Sequence, residues 1–151
     1  FVILNITDVQ LKDVESNDAE GELAMNTIDK LVADTQPDLI TVTGDNAWGM
    51  VAYIQLIEKL DSYGIPWAPV MGNHDGQNLF SEFWAGEQFI EADNCLFKFG
   101  PEDMGDGNYI INITQNGYPV QTLYMLDTHS NAEEGGYDHL WQNQIYELRS
   151  R

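Results

Sequence analysis

The chain has little positive charge, one cysteine and no long apolar run, and each shortage argues against a class of protein. Its 151 residues contain six Lys and Arg against 25 Asp and Glu, which gives a formal net charge of −19. Binding to a nucleic-acid duplex depends on clustered cations, so this composition argues against such a partner. No stretch approaches the roughly 20 apolar residues that a membrane-spanning helix needs. The length suits one domain with a real core.

The single cysteine, Cys95, cannot form an internal disulfide or a cysteine-based zinc site, and it leaves the cellular compartment open. Because it lies in an apolar run, we expect its thiol to be buried and inert. The excess of carboxylates is compatible with divalent cations. An anionic substrate would need bound metal to overcome the field of the protein. For most of the carboxylates, a solvated acidic surface is the simpler interpretation.

Four apolar runs each end in polar side chains that can bind a metal or carry a proton. The central one occupies residues 67–75, with the sequence WAPVMGNHD, and it ends in Gly72, Asn73, His74 and Asp75. The other three, at residues 2–7, 39–44 and 123–126, lead into Asp8, into Asp45, and into Asp127 with His129. We interpret these runs as buried strands that deliver ligands into the loops at their carboxyl ends.

The first half predicts a β-α-β-α-β unit, with strands at residues 1–7, 39–43 and 65–71. A polar loop runs to residue 20, and Pro37 and Gly64 end the two helices. The predicted apolar faces are formed by Leu23, Thr27, Ile28, Leu31 and Val32 in the first helix and by Val51, Ile54, Ile57 and Leu60 in the second. This order implies parallel strands, whose site lies beyond their carboxyl ends.

The second half predicts antiparallel structure. Residues 109–114 and 120–125 flank Asn116-Gly117, a strong hairpin signal. We further expect a short helix at residues 79–84, a strand at 95–99 and a terminal helix at 141–148. The fold class is therefore α/β, with an antiparallel hairpin after the parallel half.

Asp8, Gln10, Asp45 and Asn73 are the candidate metal ligands. Residues two apart in an extended segment point the same way, so Asp8 and Gln10 can reach one cation. The carboxylate of Asp45 can share its oxygens between two cations about 3.5–4 Å apart, and Asn73 offers an amide oxygen. Taken singly, Asp45 is a common turn residue and Asp8 caps the following segment, and Gln10 can equally be a side chain that binds no metal. Their joint occurrence on successive strand ends favours a metal site.

His74 is the candidate general acid, because an imidazole beside a metal pair but not on it suits protonation of a leaving alkoxide. Asp75 is predicted to orient His74. Taken alone, His74 would be an ordinary loop histidine. Asp127 is interpreted as structural, and His129 as a contact on the substrate side or as neither.

These motifs resemble those of the calcineurin-like metallophosphoesterases, a family that includes the purple acid phosphatases. Asp8-x-Gln10, Gly44-Asp45 and Gly72-Asn73-His74-Asp75 correspond to the D-x-H, GD and GNH[DE] elements of that family. Gly136-Tyr137-Asp138, followed by Gln144-Ile145, is similar to the segment after the central hairpin in the purple-acid-phosphatase-like branch. The resemblance covers nearly the whole chain.

The resemblance implies an α/β/β/α sandwich that hydrolyses a small phosphoester with two metal ions, of Mn, Fe or Zn. It implies that Asp8 and Gln10 bind the first metal, Asp45 bridges, and Asn73 binds the second. His74 would stabilise the phosphoryl group and protonate the leaving group, while a hydroxide bridging the metals attacks phosphorus in line. It also favours an exported or cell-surface protein over a cytoplasmic one.

Two departures from the family pattern affect what we expect of the metal and of the activity. Gln10 stands where the family has His, and an amide oxygen favours Mn or Fe over Zn. The downstream GH and GHxH elements are missing, since neither His129 nor His139 follows a glycine. We therefore expect residues 1–151 to be one domain truncated at its carboxyl end, the N-terminal part of a longer enzyme. The alternative is an inactive acidic domain that binds at most one divalent cation. A chain on its own is expected to form a homodimer through exposed strand edges.

Overall fold

Three parallel strands form the central sheet, in the order β1-β2-β3. They are β1 (Ile3–Ile6), β2 (Leu39–Thr43) and β3 (Trp67–Val70), and the register places Ile40 opposite Trp67. This computed structural model describes residues 1–13, 19–77 and 79–150, so part of the predicted polar loop lies outside the described residues. The parallel β-α-β-α-β order is confirmed, and the middle strand has the predicted bounds. The outer strands are shorter than predicted.

Helices α1 (Ala19–Thr35) and α2 (Met50–Asp61) connect the three strands. The first ends before Pro37, as predicted, but it buries only Ile28 and Val32 of the expected face. The face predicted for the second is partly wrong, since Val51 is exposed. The helix instead buries Ala52, Tyr53, Leu56, Ile57 and Leu60. The Tyr53 ring packs against the rings of Phe80, Trp84 and Phe89, contacts that apolar periodicity alone does not predict.

Helix α3 (Glu82–Glu91) begins later and runs longer than the predicted helix at residues 79–84. The Ser81 hydroxyl caps it by accepting a hydrogen bond from the Trp84 amide at 3.1 Å. The strand predicted at residues 95–99 is wrong, because only Cys95 forms a bridge, with Trp67. The rings of Phe97 and Phe99 contact each other 5.3 Å apart, so these residues serve the aromatic core rather than a sheet ladder.

The antiparallel hairpin of β4 (Tyr109–Gln115) and β5 (Tyr118–Met125) is confirmed, and α4 (Gln142–Ser150) follows it. Asn116 and Gly117 form its turn with positive φ angles of 54° and 82°. The Tyr109 hydroxyl joins the hairpin to β3 by donating to the carbonyl of Pro69 at 2.5 Å. This contact brings the carboxyl end of β5 towards the carboxyl end of β3.

The remaining sequence expectations concern the single thiol and the membrane. Cys95 is partly buried, and that burial raises the pKa of its thiol to about 12, which fits an inert cysteine. Across the described ranges, no helix has both the length and the apolar character that a bilayer crossing requires.

Candidate functional site

The loops that leave β1 and β2 run side by side and hold each other through backbone hydrogen bonds. The amide of Asp8 donates to the carbonyl of Gly44 at 3.1 Å, and that of Gln10 donates to Asp45 at 2.9 Å. The pairing continues to a parallel bridge between Leu11 and Ala47. The positions of the first two candidate ligands are therefore fixed relative to the third by the backbone itself.

Three of the candidate ligands have left-handed backbone conformations. The φ angles of Asp8, Gln10 and Asp45 are 55°, 47° and 53°. Residues other than glycine adopt this region uncommonly, although aspartate and asparagine do so more often than most, and such residues concentrate at functional sites. The extended geometry that the sequence predicted for the segment from Asp8 to Gln10 is therefore wrong. The two side chains are brought towards Asp45 by the paired loops and not by strand alternation.

The loops after β2 and β3 meet at two glycines. A Cβ atom on Gly44 would lie 2.7 Å from the Cα of Gly72, and a Cβ on Gly72 would collide with the backbone and carboxylate of Asp45. The amide of His74 donates to Oδ1 of Asp45 at 3.0 Å. The glycines of the GD and GNHD motifs thus permit the close approach that places Asp45 against the third loop.

Asp8, Asp45 and Asn73 line one cavity of about 310 Å³ at the carboxyl ends of the strands. Leu126 and Thr128, just after β5, complete one of its walls. Gln10 borders this group and donates from Nε2 to Oδ2 of Asp45 at 3.4 Å. The structure therefore brings the four candidate ligands into one neighbourhood, three of them around a shared cavity.

His74 lies beside this cavity, and its side chain is 29% exposed. Its Nε2 is 3.9 Å from Oδ2 of Asp45, and its Nδ1 is 2.9 Å from Oε1 of Gln77. The Nε2 of Gln77 lies 3.5 Å from Oδ1 of Asn131, which turns the amide oxygen towards the imidazole. Sequence reasoning missed Gln77. Its position three residues after His74 was the available signal, because a tight turn brings such neighbours together.

Asp75 is buried and receives hydrogen bonds from three parts of the fold. Its carboxylate accepts from the backbone and side-chain nitrogens of Asn46 at 2.9 and 3.0 Å, and from the Gly72 amide at 2.7 Å. The Tyr53 hydroxyl also donates to it. Burial raises the pKa of Asp75, while these donors oppose the rise. The contacts fix the loop that carries His74, and a catalytic role for Asp75 stays a prediction.

Asp127 and His129 lie next to the cavity wall, and the buried contacts of Asp127 are compatible with its structural interpretation. The Asp127 side chain is 1% exposed and accepts from the amides of Asp106 and His129 at 2.8 and 2.7 Å. The His129 ring stacks on Trp141 with centroids 3.8 Å apart. Its Nε2 lies 3.1 Å from Oε1 of Gln144. Through these contacts His129 packs against the start of α4.

The candidate ligands offer two carboxylates and two amides, all of them oxygen donors. Such a set suits a hard divalent cation better than zinc. In the part of the chain that the structure describes, no group of three or more His, Cys, Asp or Glu side chains could hold a metal ion. The described residues therefore place oxygen donors around one cavity without a complete ligand group for a metal ion.

A parallel sheet whose strand ends combine these oxygen donors with an adjacent imidazole defines an α/β protein of the metallophosphoesterase type. The family model described as calcineurin-like phosphoesterase matches residues 1–150, and the chain belongs to that family. The resemblance and the fold class read from the sequence are thereby confirmed. The family hydrolyses phosphoesters in general and uses divalent metals.

Individual relatives extend beyond this chain. Phosphatase DCR2 of Saccharomyces cerevisiae is 33% identical over 128 residues, which cover 72% of this chain and 22% of the relative. Two Arabidopsis thaliana proteins, probable inactive purple acid phosphatases 14 and 29, are each 26% identical and cover 100% and 85% of the chain. The matches span 47% and 40% of those two proteins. The chain thus spans less than half the length of these relatives.

Proposed function

We propose that this chain carries the strand-end part of a metal-dependent phosphoesterase site and forms the N-terminal part of a longer enzyme. The observation that supports the proposal is the convergence of Asp8, Asp45 and Asn73, which follow three different strands, on one cavity. His74 beside that cavity supplies a group able to move a proton. The reaction would be hydrolysis of a small phosphoester.

In this proposal Asp8 and Gln10 hold a first cation, Asp45 is shared, and Asn73 contributes to a second. When bound, two such cations would supply Lewis-acid polarisation of the phosphoryl oxygens and a hydroxide near neutral pH. The oxygen-rich donor set favours Mn or Fe over Zn. Further ligands would come from other parts of the longer enzyme.

His74 acts on the leaving group in this proposal. Gln77 accepts a hydrogen bond from Nδ1, which leaves Nε2 as the nitrogen that faces Asp45. In the protonated imidazole, Nε2 passes its proton to the leaving oxygen as the P–O bond breaks. The backbone amide of His74 holds Asp45 in place, so one residue couples the ligand set to the proton donor.

The substitution Asp45→Asn in the protein that carries this chain tests the proposal. It keeps the size of the side chain and removes the charge that two cations would share. We expect the variant to lose dinuclear metal binding, which elemental analysis measures. We also expect it to lose turnover of an aryl phosphate with Mn²⁺. Asp103→Asn, at an exposed carboxylate away from the cavity, is the matched control and should change neither. Unchanged turnover of Asp45→Asn would rule the proposal out.

A second candidate function is an inactive acidic domain that keeps the fold and binds at most one divalent cation. It is favoured by the incomplete donor set and by the names of the two Arabidopsis relatives, each called probable inactive. Elemental analysis of the purified chain, paired with a phosphatase assay, separates the two candidates. Two tightly held metal ions together with turnover would contradict this second one.

A further inference from the structure

Two partly exposed aromatic rings flank the imidazole of His74. The ring centroid of Trp48 lies 5.0 Å from that of His74 with an interplanar angle of 40°, and the centroid of Tyr137 lies 6.1 Å away at 82°. Trp48 is 36% exposed and Tyr137 is 64% exposed. By contrast, Tyr53 and Trp67 in the core are fully buried. The pair therefore presents ring surface to solvent beside the proposed proton donor.

Both rings are held by the loops that build the site. The Trp48 amide donates to the carbonyl of Leu11 at 2.7 Å, in the ladder that also places Asp8 and Gln10. Tyr137 forms an antiparallel bridge with Asn131. Because the two rings come from separate loops, their meeting at His74 results from the tertiary fold.

The loop of Tyr137 is tied to the third strand end. The Ser130 hydroxyl donates to the carbonyl of Asn73 at 2.6 Å, and the amide of Asp138 donates to the carbonyl of Ser130 at 3.2 Å. The loop therefore closes on itself directly beside a candidate metal ligand. Tyr137 is positioned relative to the cavity through these two hydrogen bonds.

The charge around the cavity limits how a leaving group can be recognised. Of the described residues that line the cavity, none is Lys or Arg, and two are Asp. Lys30 and Lys59 are paired with Asp34 and Asp29. A leaving group that depended on a cationic clamp would find little support here, whereas a flat ring can stack on Trp48 and Tyr137.

We propose that Trp48 and Tyr137 form a leaving-group subsite and that the site prefers aryl phosphoesters over alkyl ones. This inference rests on the proposed function. In the reaction, water supplies the oxygen that bonds to phosphorus, the bond from phosphorus to the aryl oxygen breaks, and His74 Nε2 delivers a proton to that oxygen. The aromatic ring carried by the leaving oxygen would then lie against the two rings that contact His74.

Binding of two phosphonates tests the subsite independently of turnover. With Mn²⁺ present, isothermal titration should show phenylphosphonate binding the protein several-fold more tightly than methylphosphonate. Trp48→Leu and Tyr137→Leu should each lower that preference by about twofold or more, while Trp48→Phe, which keeps a flat ring, should retain most of it. Equal binding of the two phosphonates by the unmodified protein, or binding of neither, would overturn the inference.

Matched controls are Tyr146→Leu, which alters an exposed tyrosine on α4, and Tyr118→Leu, which alters an exposed tyrosine on the hairpin. Both should leave the preference unchanged. The thermal midpoint of every variant reports on folding, and Tyr137→Leu keeps the test decisive if Trp48→Leu misfolds.

Turnover distinguishes a subsite from a positioning role and from another substrate class. In the unmodified protein kcat/KM for phenyl phosphate should exceed that for ethyl phosphate, and Trp48→Leu should reduce the first more than the second. Equal reduction would assign Trp48 to the positioning of His74 and overturn the inference. A preference for a nucleoside monophosphate that depends on Trp48 would also overturn it. If no ester turns over but the phosphonate preference is present, the proposed function fails and the aryl subsite stands.

Discussion

Gly44 and Gly72 pack backbone against backbone where the second and third strands end. A Cβ on Gly44 would lie 2.7 Å from the Cα and 2.9 Å from the nitrogen of Gly72. The residues that follow these glycines, Asp45 and Asn73, line the same cavity as a result. The GD and GNHD motifs can therefore lie close together because Gly44 and Gly72 have no Cβ atom, and this proximity places Asp45 and Asn73 at one cavity.

The substitution Gly44→Ala should destabilise the fold by about 3 kcal/mol or more. Its φ of 89° is unfavourable for alanine, and the added methyl group meets the backbone of Gly72, which cannot rotate away. Gly117→Ala is the matched control, since its φ is 82° but a Cβ there meets nothing within 4 Å. It should cost only about 1–2 kcal/mol. Urea unfolding measures both, and equal losses would contradict the role given to the close approach.

Tyr53→Phe should destabilise the fold by about 1–3 kcal/mol, because it removes a donor from the buried carboxylate of Asp75. Tyr63→Phe offers a comparison, since the Tyr63 hydroxyl donates to Asp29, which is 45% exposed and also paired with Lys59. Water can replace that bond, so we expect a loss below about 1 kcal/mol. Denaturant unfolding of the two variants checks the difference. A larger loss for the surface tyrosine would show that Asp75 does not anchor the loop.

Glu82→Gln should make stability less dependent on pH. Burial, followed by the charges of Asp127, Asp106 and Asp75, raises the pKa of Glu82 from 4.5 to about 7, and its Oε1 has no hydrogen-bond partner among the described residues. The folded protein binds this proton more tightly than the unfolded chain does. The stability that the fold gains from this tighter proton binding is therefore fully present below pH 4.5, and it is lost as the pH rises through 7.

The measurement is the free energy of unfolding of Glu82→Gln at pH 4.5 and pH 8. The variant should gain stability relative to the unmodified chain at pH 8, with the difference shrinking towards pH 4.5. Glu87→Gln, at an exposed position of the same helix, should show no such trend. A gain that was the same at both pH values would mean that the Glu82 carboxyl does not titrate in this range.

His74→Ala should leave the metal content unchanged and lower kcat by about 10²–10⁴ if the imidazole acts as the general acid. Its ring lies beside Asp45 and is held by Gln77, which places it next to the ligand set rather than within it. His139→Ala changes a histidine whose side chain is 84% exposed and should have no effect. Elemental analysis and phosphatase kinetics check the prediction. Loss of metal from His74→Ala would reassign His74 as a ligand.

The sequence predicted those features that depend on local chemistry. The bounds of β2 follow from an unbroken run of β-branched and apolar residues, and the hairpin follows from Asn116-Gly117, whose positive φ angles few other pairs adopt. The convergence of the strand ends follows from parallel topology. Each of these rests on residues close together in the chain or on a general rule of sheet geometry.

The features that the sequence did not predict depend on contacts between distant segments. Tyr53 was not on the predicted face of α2, because its burial is decided by the Phe89 ring and the Asp75 carboxylate. The left-handed backbone at Asp8 and Gln10 results from pairing with the loop after β2. Aspartate adopts this conformation more often than most residues, but glutamine has no such preference, so the sequence of this segment does not predict it.

The positive φ angles of Asp8, Gln10 and Asp45 create a conflict between the candidate site and the stability of the fold. The side chains that could bind a metal there are not those that fit the backbone conformation best. Glycine adopts such φ angles without steric cost, so replacing any of these residues by glycine would relieve backbone strain, by up to about 1–2 kcal/mol at Gln10. It would also delete a candidate ligand. A library of this protein selected only for survival on heating should therefore accumulate glycine and asparagine at these positions first. The most heat-resistant variants would then be those that had lost the candidate ligands and the activity proposed for them.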